Sequence, residues 1–158
     1  VAMQLSEEWN WDPVDFLVMG SLLFGTGLAY EFVSSRVGAV AYRIAVGLAL
    51  AAALTLIWVN AAVGIIGDGP VNVLYVAVLA VLAVGSVMAR LKPKGMARAL
   101  FATALTQLFI PFVALAIQVV DFAPGVPHVL ALNSFFVLMF IGSGLLFRRV
   151  DTAGALAV

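Results

Sequence analysis

The chain has 158 residues, of which 65% are hydrophobic and 10% are charged, and its mean hydropathy is +1.17. An ordinary soluble domain is close to half apolar and about one quarter charged, so this composition excludes a soluble globular protein. The absence of cysteine excludes disulfides, thiolate metal sites and thiol catalysis.

Five apolar segments follow one another along the chain. The predicted spans are residues 14–33, 44–66, 71–89, 99–120 and 129–147. A helix needs about 20 residues to cross a hydrocarbon core of about 30 Å. In lipid every backbone polar group must be satisfied within the segment, and no barrel-like alternation is visible, which indicates helices. We therefore predict an all-α polytopic membrane protein whose single transmembrane domain is a bundle of five helices.

The two termini differ in character from the spans. Residues 1–13 mix acids with Trp9 and Trp11 and predict an interfacial segment with the tryptophans at head-group depth. This acidic front lacks the basic region of a secretory signal, so the first span is expected to remain in the mature protein. The small-residue tail, residues 151–158, is either native or a cloning remnant.

Basic and acidic residues alternate between the breaks that separate the spans. All eight Lys and Arg residues lie in three segments, residues 36–43, 90–98 and 148–149. Most acids lie elsewhere, in the first 15 residues and at Asp68 and Asp121. Cytoplasmic loops collect Lys and Arg near span ends. The pattern therefore predicts an amino end outside and a carboxyl end inside.

Small residues predict where helices pack closely. The first span carries Gly20, Ser21 and Gly25, and the third carries Gly85 and Ala89. Such spacing lets the backbones of two membrane helices approach each other. We expect these glycines to pack helices, with the first span as the leading surface for a homo-oligomer.

The remaining spans differ in side-chain size. The second is rich in alanine between residues 45 and 53, as expected of a central helix with several neighbours. The fifth carries Phe135, Phe136 and Phe140 and is expected to face lipid in part or to contact another subunit.

Polar residues inside the spans are the candidates for a binding or coupling site. Tyr30 and Glu31 lie in the first span, Asn60 in the second, and Gln107 and Pro111 in the fourth. Proline removes one backbone hydrogen bond, so it should kink the helix and free the carbonyl of Gln107. Asn60 and Gln107 are predicted to lie at different depths. They bound either a tall polar cavity or two independent structural contacts.

Apart from Asp15 at the start of the first span, Glu31 is the only acid within a predicted span. Its depth decides between two roles. It lies about 24 Å along the helix from Asp15, which places it near the inner interface. We expect an ion pair with Arg36 or Arg43 there. Proton or substrate coupling is the alternative role.

The outer rim carries a second set of polar residues. Asp68, Asn72, Asp121, His128 and Asn133 would converge if the two outer turns touch. No His-rich spacing fixes metal ligands in advance, so a solvated acidic rim without a metal is expected. Phosphate loops and Ser/His/Asp groupings are absent from the sequence, so neither an enzyme nor a cofactor is expected.

Three segments carry a resemblance to a known group of proteins. They are LLFGTGLAYE at residues 22–31, NAAVGIIG at 60–67 and KGMARALFATAL at 94–105. Together they resemble small bacterial multi-pass inner-membrane proteins of unassigned function, over most of residues 9–120. The resemblance implies a location in the bacterial cytoplasmic membrane and no activity.

Two functions remain open at this point. The first is a small transporter or channel subunit for a solute or ion, in which several copies enclose the site because five helices are few. The second is a non-transporting partner or assembly subunit of a larger membrane complex. The bilayer is the expected environment, and nucleic acid is not an expected partner.

The predicted topology is tested by labelling single cysteines from each side of the membrane. We expect Asp68→Cys to react with an impermeant thiol reagent from outside and Lys94→Cys only from inside, since basic loops stay cytoplasmic. The cysteine-free parent is the control. Reaction of both positions from one side would contradict the topology.

Overall fold

The computed structural model describes residues 13–35, 37–62, 64–66, 70–117 and 125–155. Within these ranges the chain forms five α-helices and no strand. The helices are α1 (Pro13–Ser34), α2 (Val40–Ala62), α3 (Leu74–Met88, after a 3-10 turn at Pro70–Val73), α4 (Pro93–Ala116) and α5 (Val126–Ala155). All five are long and apolar enough to cross a membrane, which confirms the predicted fold class at this level. The interfacial segment with Trp9 and Trp11 lies outside the described residues.

Helix α2 ends earlier than the predicted span, which ran to residue 66. Gly64 has a φ of 66° and donates its N–H to the carbonyl of Val59, a wide turn that closes the helix. The Oδ1 atom of Asn72 then accepts hydrogen bonds from the backbone N–H groups of Ile65 and Ile66, each at 3.0 Å. Backbone groups that would continue the helix are satisfied by this asparagine instead.

Helices α4 and α5 extend beyond their predicted spans at one end of the bundle. Pro93 begins α4 because its fixed φ and missing N–H suit the first turn of a helix. Helix α5 continues past Arg148 and Arg149 to Ala155. Hydropathy marks only the part of a helix that suits the hydrocarbon core, whereas the hydrogen-bonded helix runs on into polar sequence. We call this end of the bundle, which carries Lys94, Arg98 and Arg148, the basic end.

The order of packing around the bundle differs from the order along the chain. Helix α5 packs against both α4 and α2, α3 packs against α4, and α1 packs against α2. The consecutive helices α2 and α3 make few contacts with each other. A seam therefore separates α2 from α3 along much of their length.

Helix α5 packs against two neighbours and keeps an exposed side, so the expectation that it faces lipid in part or contacts another subunit stays a prediction. Phe136, Phe140 and Phe147 are fully buried, whereas Phe135 lies on the exposed side of the same helix. Helix α2 has several neighbours, as expected of its small residues. Gly47 lies beside Tyr30 of α1, and the carbonyl of Ala45 accepts a hydrogen bond from Ser143 of α5.

A close contact between α3 and α4, and a hydrogen bond from α2 to the turn that joins them, hold the basic end together. An added Cβ at Gly85 would lie 2.7 Å from the Cβ of Ala99 on α4. The turn after α3 places Arg90 and Leu91 in the left-handed region, with φ of 49° and 58°. Tyr42 of α2 donates its hydroxyl to the Leu91 carbonyl at 2.8 Å, which holds this turn in place.

Helix α1 lies at the edge of the bundle. Its apolar stretch is exposed, and Ser34 is its one residue in the buried class. An added Cβ at Gly20, Gly25 or Gly27 would meet nothing within 4 Å. The small-residue face of α1 is thus open in a single chain.

The difference between Gly85 and Gly27 gives a matched stability test. Replacing helical glycine by alanine gains about 1 kcal/mol of helix propensity at an open position such as Gly27. Gly85→Ala should instead lower the free energy of unfolding, because overpacking costs about 1 to 3 kcal/mol. Thermal unfolding of both variants in the same detergent measures this difference. A Gly85→Ala variant as stable as Gly27→Ala would contradict the close α3–α4 packing.

Candidate functional site

The seam between α2 and α3 contains two cavities. The first, away from the basic end, has a volume of about 320 Å³ and is here called the polar cleft. Its lining residues are Leu56, Ile57, Asn60 and Ala61 of α2, and Asn72, Tyr75, Val76 and Leu79 of the α3 segment. The second cavity, toward the basic end, has a volume of about 280 Å³ and an almost wholly aliphatic lining. Leu79 lines both cavities, so the two are adjacent along the seam.

Asn60 supplies the polar cleft with a hydrogen-bond acceptor that has no partner. Its Nδ2 donates to the carbonyl of Leu56, one turn earlier, at 2.8 Å. Its Oδ1 is buried and has no hydrogen-bond partner among the residues that the structure describes. An unsatisfied polar atom in an apolar setting costs several kcal/mol unless water or a ligand meets it. The cleft therefore favours an occupant that donates a hydrogen bond.

Tyr75 connects the polar cleft to a buried network of polar side chains. Its hydroxyl donates to Oδ1 of Asn133 on α5 at 3.0 Å. Gln107 of α4 donates its Nε2 to the same oxygen at 2.9 Å, and Asn133 donates its own Nδ2 to the Val129 carbonyl. Gln107 is 0% exposed and Asn133 is 2% exposed. This polar network links α3, α4 and α5 behind the cleft.

The polar residues predicted within the spans do not all share one site. Asn60 and Gln107 do not meet directly, since Gln107 bonds to Asn133 while Asn60 faces the cleft. The assignment of Asn133 to the outer rim was wrong, because Asn133 is buried in the bundle. Tyr75 was missed altogether. Its signal is a tyrosine inside an apolar span, since a buried hydroxyl usually finds a partner.

Pro111 is buried within α4, and the helix continues through it to Ala116. Proline has no N–H, so the carbonyl of Gln107, four residues earlier, loses its usual helical partner. Gln107 also keeps a side-chain oxygen, Oε1, with no partner in the described part of the chain. The turn between Gln107 and Pro111 therefore holds two acceptors close to the polar network.

Glu31 lies on the exposed face of α1, and Tyr30 lies against α2. A Cβ added at Gly47 of α2 would lie 3.5 Å from the Tyr30 ring, so Tyr30 packs beside α2 at this point. Glu31 forms no ion pair with Arg43 or with any other residue that the structure describes. The face of α1 that meets α2 carries Tyr30 and Val33. Arg36 lies outside the described residues, so the predicted pairing of Glu31 with Arg36 or Arg43 stays a prediction.

The predicted outer rim is described only in part. His128 is exposed in the first turn of α5, where its backbone N–H donates to the Gly125 carbonyl. Asp68 and Asp121 lie outside the described residues. Within the described ranges no group of three His, Asp or Glu side chains converges on one point.

The polar network gives a prediction about coupled mutations. Tyr75→Phe alone should cost about 1 kcal/mol by removing one hydrogen bond. Asn133→Leu should cost about 1 to 3 kcal/mol, because it leaves the buried Tyr75 hydroxyl and the Gln107 amide unpaired. In the Asn133→Leu background, Tyr75→Phe should then be neutral or stabilising. Thermal unfolding of the four proteins measures this reversal of sign, and equal costs in both backgrounds would contradict the network.

Comparison with protein families, with curated proteins and with solved structures finds no match to this chain. The resemblance of residues 22–31, 60–67 and 94–105 to small bacterial membrane proteins accordingly stays a prediction.

Proposed function

We propose that the protein is a subunit of a small oligomeric transporter or channel in the bacterial cytoplasmic membrane, with its solute site at the polar cleft. The observation that carries this proposal is the buried Oδ1 of Asn60, an acceptor without a partner beside a cavity of about 320 Å³. A structural asparagine would normally be satisfied by a neighbouring helix. Here the helix that would supply that partner, α3, stands apart from α2.

The lining of the cleft indicates the chemistry of the solute. No ionisable carboxylate or amine lines it, and the Tyr75 proton is already donated to Asn133. The Asn72 oxygen already accepts two backbone N–H groups. A permanent charge would enter this cavity without a counter-charge, at a high desolvation cost. The cleft therefore suits a small neutral solute that carries N–H or O–H donors.

The open seam supports an assembly of several copies. The cleft lies between two helices that do not pack together, so one chain alone does not enclose a path across the bilayer. Helix α1 adds an exposed apolar surface with open space at Gly20, Gly25 and Gly27. A second copy that packs on these surfaces would cover the seam from the lipid side.

Solute flux into proteoliposomes tests the proposal. Urea and glycerol are suitable probes because both are small, neutral and rich in hydrogen-bond donors, and stopped-flow light scattering follows their entry. Asn60→Leu should reduce the protein-dependent rate at least severalfold, since it removes the acceptor and fills part of the cleft. Ser134→Ala is the matched control, because Ser134 is exposed and bonds only to its own helix, at the Leu130 carbonyl.

Two outcomes would contradict this function. Protein-dependent flux that is equal in wild type and Asn60→Leu would remove the polar cleft from the pathway. Flux that rises with a proton gradient and is lost in Glu31→Gln would move the site to α1, since Glu31 lies on the exposed face of that helix.

A non-transporting membrane partner is the second candidate, and one observation favours it. No residue in the most apolar 18-residue stretch of α1 is buried in a single chain, so another membrane protein has a helix face to pack against. Absence of flux from folded protein, together with copurification with a second membrane protein at a fixed ratio, would support this candidate.

A further inference from the structure

A third cavity, separate from the seam, lies at the basic end between α4 and α5. Its volume is about 390 Å³. Helix α4 contributes Lys94, Arg98 and Phe101, and α5 contributes Arg148 and Asp151. Three side chains that line it are thus cationic and one is anionic. No ion pair joins Asp151 to these cations among the described residues.

The spacing of these residues explains why they share one cavity. Residues 94, 98 and 101 follow one another at intervals of four and three, which is one face of a helix. Residues 148 and 151 have the same relation on α5. The two faces meet because α4 and α5 form the most extensive contact in the bundle. Phe101 lies deepest along α4, and its ring packs against Gly144, where a Cβ would approach it to 3.1 Å.

The electrostatics of the cavity favour an anion. Lys94, Arg98 and Arg148 repel one another, and Asp151 offsets only one of the three charges. The first turn of α4, which begins at Pro93, adds the positive end of its helix dipole. A bound anion would relieve the repulsion among the three cations and interact favourably with this helix end.

We infer that this cavity binds the phosphate head group of an anionic glycerophospholipid, held by Lys94, Arg98 and Arg148. The position of the cavity selects a lipid over a free phosphate. It lies where α4 begins and where α5 leaves its apolar stretch, which is head-group depth for helices that span a bilayer. Beside it, α4 and α5 offer apolar surface to the acyl chains, including the exposed Leu105 and Leu145. Asp151 adds an acceptor for a head-group hydroxyl.

Native mass spectrometry of the full chain released from detergent tests this site. Phosphatidylglycerol should remain bound after phosphatidylcholine at the same concentration is lost. Arg148→Gln should weaken phosphatidylglycerol binding about fivefold, which corresponds to about 1 kcal/mol for one basic side chain near a membrane surface. Arg149→Gln is the matched control, since Arg149 is the adjacent exposed arginine and does not line the cavity. Asp151→Asn should tighten binding, because it removes the opposing charge and keeps an acceptor oxygen.

Three results would overturn the inference. Equal weakening by Arg148→Gln and Arg149→Gln would show a general attraction to the basic end and no defined site. Failure of Asp151→Asn to tighten binding would place the anion outside the cavity. Inorganic phosphate that displaces phosphatidylglycerol at equal concentration would identify a free phosphate site. All three positions are exposed, so unfolding temperatures in phosphatidylcholine should match wild type and serve as the folding control.

Discussion

The packing of α5 against both α2 and α4 is the constraint on which the rest of the structure depends. Its buried rings, Phe136, Phe140 and Phe147, fill the space between its two neighbours. Ser143 on the same helix donates its hydroxyl to the Ala45 carbonyl at 2.7 Å, which adds a polar contact to the α2 side. Because α5 occupies this position, α3 packs mainly against α4 and makes few contacts with α2. The seam between α2 and α3, with both of its cavities, follows from that arrangement.

Much of the fold was predictable from the sequence, because helices in lipid must be apolar over a known length. The ends of the helices were less predictable. Gly64 ends α2 through a turn that depends on Asn72, and this partner lies beyond the turn in sequence. Which aromatic residues of α5 are buried and which are exposed was not predictable, for a clear reason. Large aromatic residues suit both lipid and a helix interface, since both surroundings are apolar, so side-chain size alone does not distinguish them.

Some members of the candidate site were predictable from the sequence, and their pairings were not. Asn60 and Gln107 stand out because polar side chains are rare in such spans. Asn133 bonds to both Gln107 and Tyr75 through one oxygen atom, and that geometry depends on the rotation of three helices about their axes. The sequence contains no strong sign of these rotations. Each helix carries hydrophobic residues on all sides, so the one-sided hydrophobic pattern that usually marks a buried face is weak.

The seam between α2 and α3 is bonded at both of its ends. At the basic end the Tyr42 hydroxyl of α2 donates to the carbonyl of Leu91. At the other end the Asn72 side chain accepts hydrogen bonds from the N–H groups of Ile65 and Ile66. Between these attachments little contact joins the two helices. The width of the seam is therefore set by these two attachments at its ends, and not by side-chain packing along its length.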